Sequence, residues 1–80
     1  MDDYKPVNCD FYDELEALAT LKKESEIVFR ADNEAKSVIR GRILDLYTRD
    51  RVEYMKLNNG LEIRLDRIIE IDGKKRKDYV

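Results

Sequence analysis

The sequence predicts an α+β protein that is mainly β, with one N-terminal helix followed by about five short strands. Three observations predict this class. Apolar residues recur with helical spacing after Asp10, and apolar and polar residues alternate in several short runs between Glu26 and Ile71. The longest of these runs contains Gly41, and a glycine inside a strand is typical of a bulge or a sharp bend. A length of 80 residues fits a single domain.

The helix is predicted to begin at Asp10, a residue type that commonly caps helix N-termini, and to end near Lys22-Lys23. At about 100° per residue, apolar side chains gather on one face and acidic ones on the other. The predicted buried face consists of Phe11, Tyr12, Leu15, Leu18 and Ala19, and the predicted open face of Asp13, Glu16 and Ala17, with Asp10 beside it and Glu14 at its border.

Five runs of strand-forming residues follow the helix, separated by polar turns. Ile43 and Leu44 are adjacent apolar residues that break the alternation, which predicts a bulge. The Asn59-Gly60 dipeptide favours a hairpin with a type I′ turn, and Gly73 closes the last run. The strands are predicted at residues 26–31, 36–46, 52–57, 61–65 and 68–71.

A helix followed by a five-stranded, strongly bent antiparallel barrel is the Sm-like, or SH3-like, arrangement. We therefore predict one such domain over residues 1–73 and a basic, disordered tail over residues 74–80. We also expect a monomer, because nothing in the pattern predicts a large exposed apolar stripe.

Charge is unevenly distributed along the chain. The formal net charge is −2, but Lys74 to Lys77 are four consecutive bases. Subtracting these four positive charges from −2 leaves about −6 for the remainder, so the folded body is acidic. An acidic body repels phosphate and favours a basic partner surface. The simpler alternative is that the acids cap the helix and keep the domain dissolved.

The residue types needed for common catalytic and metal sites are absent. The chain has no histidine and one cysteine, Cys9, so it lacks Ser-His and Cys-His pairs and the usual zinc ligand sets. Asp13 and Glu16 are adjacent carboxylates, but on an exposed face they are not poised for proton transfer. We predict no enzyme activity and no cofactor, and expect Cys9 to be a small buried residue.

The lone cysteine also fits a reducing compartment, because it leaves no intramolecular disulfide. No basic segment followed by an apolar run marks a signal peptide, and no apolar run approaches the length of a membrane span. We expect a cytoplasmic protein with no membrane contact.

Three stretches together carry a family resemblance. They are YKPVNCDFYDELE at Tyr4–Glu16, RDRVEYM at Arg49–Met55 and IRLDRI at Ile63–Ile68. In this order and spacing they resemble the Rof family, the Rho-binding antiterminators of bacteria. The resemblance spans nearly the whole domain and is thin between Lys22 and Thr48. Phe11 stands where the family pattern has a second acid after Cys-Asp.

The resemblance implies an Sm-like fold and a protein partner, the hexameric transcription termination factor Rho. It implies binding near the primary RNA-binding site of Rho, which blocks RNA loading and gives antitermination. Such RNA sites are basic and carry aromatic platforms, so carboxylates of the helix would bind where RNA phosphates lie. Tyr12 has two interpretations, as an interface ring or as part of the core. The predicted Rho contacts are Asp10, Tyr12, Asp13, Glu14, Glu16, Arg49, Asp50 and Arg51.

Two other functions stay open. One is an Sm-like RNA-binding module that uses the basic tail with Arg40, Arg42, Arg49 and Arg51; the acidic helix argues against direct nucleic-acid binding. The other is an interaction module for a different basic protein. For the tail itself, folding back on the acidic face, contacting RNA and having no role are all open.

Overall fold

The computed structural model describes residues 7–31 and 33–76, which form one helix and a six-stranded antiparallel sheet. The order of the strands in the sheet is β4-β3-β2-β1-β5-β6. A short 3₁₀ helix, Leu65–Arg67, joins β4 to β5. The elements are α1 (Cys9–Leu21), β1 (Glu24–Arg30), β2 (Lys36–Arg49), β3 (Val52–Leu57), β4 (Glu62–Arg64), β5 (Ile68–Ile71) and β6 (Lys74–Lys75).

The helix α1 begins two residues earlier than the sequence predicts. Its N-cap is Asn8, whose side-chain oxygen accepts a hydrogen bond from the backbone N–H of Asp10 at 2.8 Å. The prediction of Asp10 as the cap is therefore wrong, because Asn8, another good cap type, accepts an orphan N–H of the first turn. Asp10 lies in the first turn instead, where its negative charge is favourable for the helix dipole.

The C-terminal end of α1 lies where the sequence predicts it. Lys22 adopts a left-handed conformation with φ 54°. The N–H of Lys22 donates to the carbonyl of Ala19 at 3.2 Å, and that of Lys23 donates to the carbonyl of Leu18 at 3.4 Å. These two bonds form a Schellman motif, which satisfies carbonyls that the last turn leaves open.

The long strand β2 is shared between two strand pairs. Its first half, from Lys36 to Arg42, pairs with β1, and its second half, from Ile43 to Arg49, pairs with β3. The register with β3 shifts between Ile43 and Asp45, so Leu44 is the extra residue of a bulge. This confirms the bulge predicted from the adjacent Ile43 and Leu44. The polar residues Thr48 and Arg49, predicted as loop, belong to β2.

Gly41 is where β2 and the β3–β4 turn come close together. A Cβ atom at Gly41 would lie 3.1 Å from the side-chain oxygen of Asn58. That oxygen accepts the backbone N–H of Arg42 at 3.1 Å, so it cannot move away without losing a hydrogen bond. The absence of a Cβ at Gly41 therefore makes room for the side chain of Asn58.

The turn between β3 and β4 differs from the predicted type I′ turn. Gly60 has φ 91°, but Asn58 and Asn59 do not have positive φ. Gly60 N–H donates to the Leu57 carbonyl, and Leu57 N–H donates to the Leu61 carbonyl, each at 2.9 Å. This is a three-residue loop that ends in a left-handed glycine, in which only the glycine needs positive φ.

Two-residue turns with positive φ at both positions occur elsewhere. Asp50 and Arg51 join β2 to β3 with φ 51° and 67°, and Asp72 and Gly73 join β5 to β6 with φ 49° and 84°. Positive φ at both central residues is the backbone pattern of a type I′ turn. Arg51 is an unfavourable residue for such a position, because its Cβ crowds the backbone there.

The sheet has a sixth strand in the segment that the sequence predicts as a disordered tail. Lys74 and Lys75 pair with Ile71 and Glu70 of β5. Arg76 is 9% exposed; its guanidinium donates to the Leu65 carbonyl at 3.0 Å, and its backbone N–H donates to the Ile69 carbonyl at 2.9 Å. The expected disorder is thus wrong for residues 74–76, and residues 77–80 lie outside the described residues.

The core lies between α1 and the sheet. Phe11 and Leu15 of α1 are buried, and Tyr12, Leu18 and Ala19 pack against the same cluster, which confirms the predicted buried face. The other core residues are Ile27, Ile43, Met55, Leu57, Ile63, Leu65, Ile68 and Ile71.

No strand pairing that closes the sheet into a barrel is found over residues 7–31 and 33–76. No helix in these ranges has the length and apolarity to cross a bilayer.

Candidate functional site

The open face of α1 carries carboxylates, as the sequence predicts. Asp10, Asp13 and Glu16 are exposed, and Glu14 is half-buried at the border. Within the part of the chain that the structure describes, no hydrogen bond or ion pair engages the carboxylates of Asp13 and Glu16. None of the described basic side chains is therefore paired with these two carboxylates.

Tyr12 lies near acidic residues of both α1 and the β2–β3 hairpin. Its ring packs against the core cluster, as one of its two interpretations anticipates. Burial raises the pKa of the Tyr12 hydroxyl, and the negative charges of Glu16, Glu53 and Asp45 raise it further. The hydroxyl thus stays protonated at neutral pH and is a hydrogen-bond donor in an acidic environment.

Two carboxylates of the hairpin lie near enough to Tyr12 to raise its pKa. Asp45 is exposed at the bulge of β2, and Glu53 is half-buried on β3. Sequence patterns did not predict Asp45 and Glu53 as part of the site, because only tertiary packing brings the hairpin beside Tyr12. No local signal in the sequence marks that proximity.

The other side of α1 faces basic residues of β6. The ammonium nitrogen of Lys74 lies 3.7 Å from a carboxylate oxygen of Glu14. The two residues line a cleft of about 420 Å³ together with Asn8, Asp10, Phe11 and Lys75. Folding back on the acidic face was one of the three alternatives for the tail. Lys74 lies against the acidic helix in this way. Glu14 is therefore partly neutralised within the molecule.

The predicted contact residue Arg49 is held by neighbours on the sheet. Its guanidinium lies 5.3 Å from the ring centre of Tyr47 and 5.6 Å from that of Tyr54. The two rings stack on each other with centres 5.4 Å apart. A nitrogen of Arg49 also lies 3.5 Å from a carboxylate oxygen of Glu62. These contacts give Arg49 a structural role on the outer face of β2 and β3.

Asp50 and Arg51 form the exposed tip of the hairpin. The cross-strand pair Thr48–Glu53 is two residues back from this turn, so the tip lies beyond Glu53 along the hairpin. Over residues 7–31 and 33–76, no ion pair or hydrogen bond joins Asp50 or Arg51 to α1. The structure therefore does not bring the predicted hairpin contacts into direct contact with the predicted helix contacts.

Cys9 is exposed in the first turn of α1, so the expectation that it is buried is wrong. Its position follows from the helix starting at Cys9 rather than after it. Among the described residues, no group of three or more potential metal ligands is suitably placed to hold an ion. No protein-family model matches the chain, and no curated protein matches it.

Proposed function

We propose that this protein binds the termination factor Rho through α1, near the primary RNA-binding site, and blocks RNA loading so that termination is reduced. The observation that carries the proposal is the pair of exposed carboxylates, Asp13 and Glu16, which no group of the described chain engages. The choice of Rho as the partner rests on the resemblance to the Rof family. The protein acts without catalysis or a cofactor in this proposal, as a cytoplasmic monomer.

Charge complementarity supports this mode of action. Asp13 and Glu16 are three residues apart on a helix, so their Cβ atoms are about 5–6 Å apart and face the same side. Two carboxylates at this spacing match a basic groove that normally holds consecutive phosphates. Hydrogen bonds between carboxylates and Arg or Lys are roughly twice as strong as neutral ones. Occupying the groove in this way excludes RNA.

The finer fold assignment belongs to the same proposal. We assign the sheet to the Sm-like fold, with α1 over its core and the long strand β2 shared between two strand pairs. The bulge at Leu44 and the close approach at Gly41 support a sharply bent β2.

The test is displacement of a labelled pyrimidine-rich RNA from purified Rho. Wild type is expected to displace the RNA, and Asp13→Lys/Glu16→Lys is expected to fail. The matched control is Glu24→Lys/Glu62→Lys, which changes the net charge equally at exposed positions outside α1, where each carboxylate makes only a solvent-screened ion pair. Displacement by the control but not by the α1 variant supports the site. No complex between wild type and Rho at low salt would overturn the proposal.

Direct RNA binding has less support from the geometry. Arg40 lies within ion-pairing distance of Glu24 and Glu26, and Arg49 is engaged by Glu62 and two tyrosines. These contacts reduce the positive charge offered to phosphate. RNA affinity that falls steeply with salt would favour this alternative. If the same face of α1 binds a different basic protein and does not bind Rho, the protein is instead an interaction module for that protein.

A further inference from the structure

The strand β6 is fixed in place beside α1. The Asp72-Gly73 turn reverses the chain, and a side-chain oxygen of Asp72 accepts the backbone N–H of Glu26 at 2.9 Å. After β6, Arg76 is buried and bonded to the carbonyls of Leu65 and Ile69. The chain is thus held on both sides of Lys74 and Lys75.

Among the residues that the structure describes, this anchoring places positive charge on one half of the acidic helix. Lys74 lies 3.7 Å from Glu14, and both β6 lysines line the cleft that Asp10 and Glu14 also line. Asp13 and Glu16 lie further round the helix, and neither has such a cation among the described residues. The acids of α1 are therefore divided into a partly neutralised half and an open half.

We propose that β6 is an internal competitor for the basic partner of α1. In the free protein Lys74 is paired with Glu14, so a basic partner docks on the open half of α1. The affinity for that partner is then lower than it would be if all the acids of α1 were unpaired. The inference rests on the proposed function for the identity of the partner as Rho. The contact between Lys74 and Glu14 is independent of that identity.

The size of the effect follows from exposure. The side chain of Lys74 is 71% exposed and that of Glu14 is 44% exposed, so water and salt screen the pair. Such a pair tunes binding rather than preventing it. Removing the Lys74 charge is expected to tighten binding of a basic partner by about threefold at low salt, and by less at high salt.

The experiment is a double-mutant cycle of binding affinity with wild type, Lys74→Gln, Glu14→Gln and the combined variant. Two probes are used, Rho and a hexa-arginine peptide. Lys36→Gln is the matched control, because it changes net charge equally from an exposed position at the far end of β2. Lys74→Gln is expected to bind both probes more tightly than Lys36→Gln does. The gain is expected to disappear in the Glu14→Gln background.

Equal affinities for Lys74→Gln and Lys36→Gln would overturn the inference, since only overall charge would then matter. A gain in affinity from Lys74→Gln that persists in the Glu14→Gln background would also overturn the inference. So would a Lys74→Gln variant that binds neither probe. If the peptide gives the predicted double-mutant cycle but Rho does not bind, Rho is refuted as the partner. The role of β6 as a competitor would then still hold. Thermal unfolding of each variant checks that the fold is intact.

Discussion

The β2–β3 turn is expected to be a site where one substitution stabilises the protein. Arg51 has φ 67°, is exposed, and makes no hydrogen bond or ion pair with the described residues. A left-handed backbone costs an L-residue about 1–2 kcal/mol. Glycine avoids this cost but loses about 0.4–1 kcal/mol through the larger entropy of the unfolded chain. Arg51→Gly is therefore expected to raise the free energy of unfolding by about 0.5–1 kcal/mol.

Gly60 provides the reciprocal control. It has φ 91°, and a Cβ atom there would have no other atom within 4 Å. Any loss of stability in Gly60→Ala therefore comes from the backbone conformation alone, and about 1 kcal/mol is expected.

Thermal and urea unfolding followed by circular dichroism measure both changes. For a domain of this size, 1 kcal/mol corresponds to roughly 4–8 °C in Tm. The expected result is a rise in Tm for Arg51→Gly and a fall for Gly60→Ala. If Arg51→Gly were neutral or destabilising while Gly60→Ala lowered Tm, the reasoning about strain at this turn would be refuted.

Three further changes are expected to have measurable effects. Asn8→Ala removes the helix cap that binds the Asp10 N–H, and a loss of about 1 kcal/mol is expected in urea unfolding. Ser25→Ala removes a buried hydroxyl with no hydrogen-bond partner among the described residues, so Tm should stay the same or rise. A hydrogen bond from Arg67 and its charge lower the pKa of Glu34, so this pair stabilises the fold above the ordinary Glu pKa. The stability gap between wild type and Glu34→Gln should shrink as pH falls through that lowered pKa; a gap that is constant with pH would contradict the assignment.

The sequence predicted the elements whose evidence is local. The period of apolar residues in α1 predicted both of its faces, because helix geometry alone fixes which side chains share a side. The adjacent Ile43 and Leu44 predicted the bulge in β2, because successive side chains of a regular strand alternate between its two faces. The cap was misplaced by two residues, because Asn8 and Asp10 are both good cap types and only the backbone at Asn8 decides between them.

The sixth strand was missed although a signal for it was present. Asp72-Gly73 is a dipeptide favoured in two-residue hairpin turns. Four consecutive bases after it are more typical of a solvated tail, and that pattern led to the wrong expectation. What stabilises Arg76 is the carbonyl of Leu65, which is 11 residues earlier in the chain.

The sequence by itself determined that α1 presents acids outward, that β2 is interrupted by a bulge, and that the chain lacks histidine chemistry. Only the tertiary structure decided which acids are open to a partner. Lys74 lies beside Glu14 because β6 pairs with β5, and Asp45 and Glu53 lie near Tyr12 because the hairpin packs beside the helix. Such proximities join residues far apart in the chain, and burial of the shared core sets them rather than any local pattern.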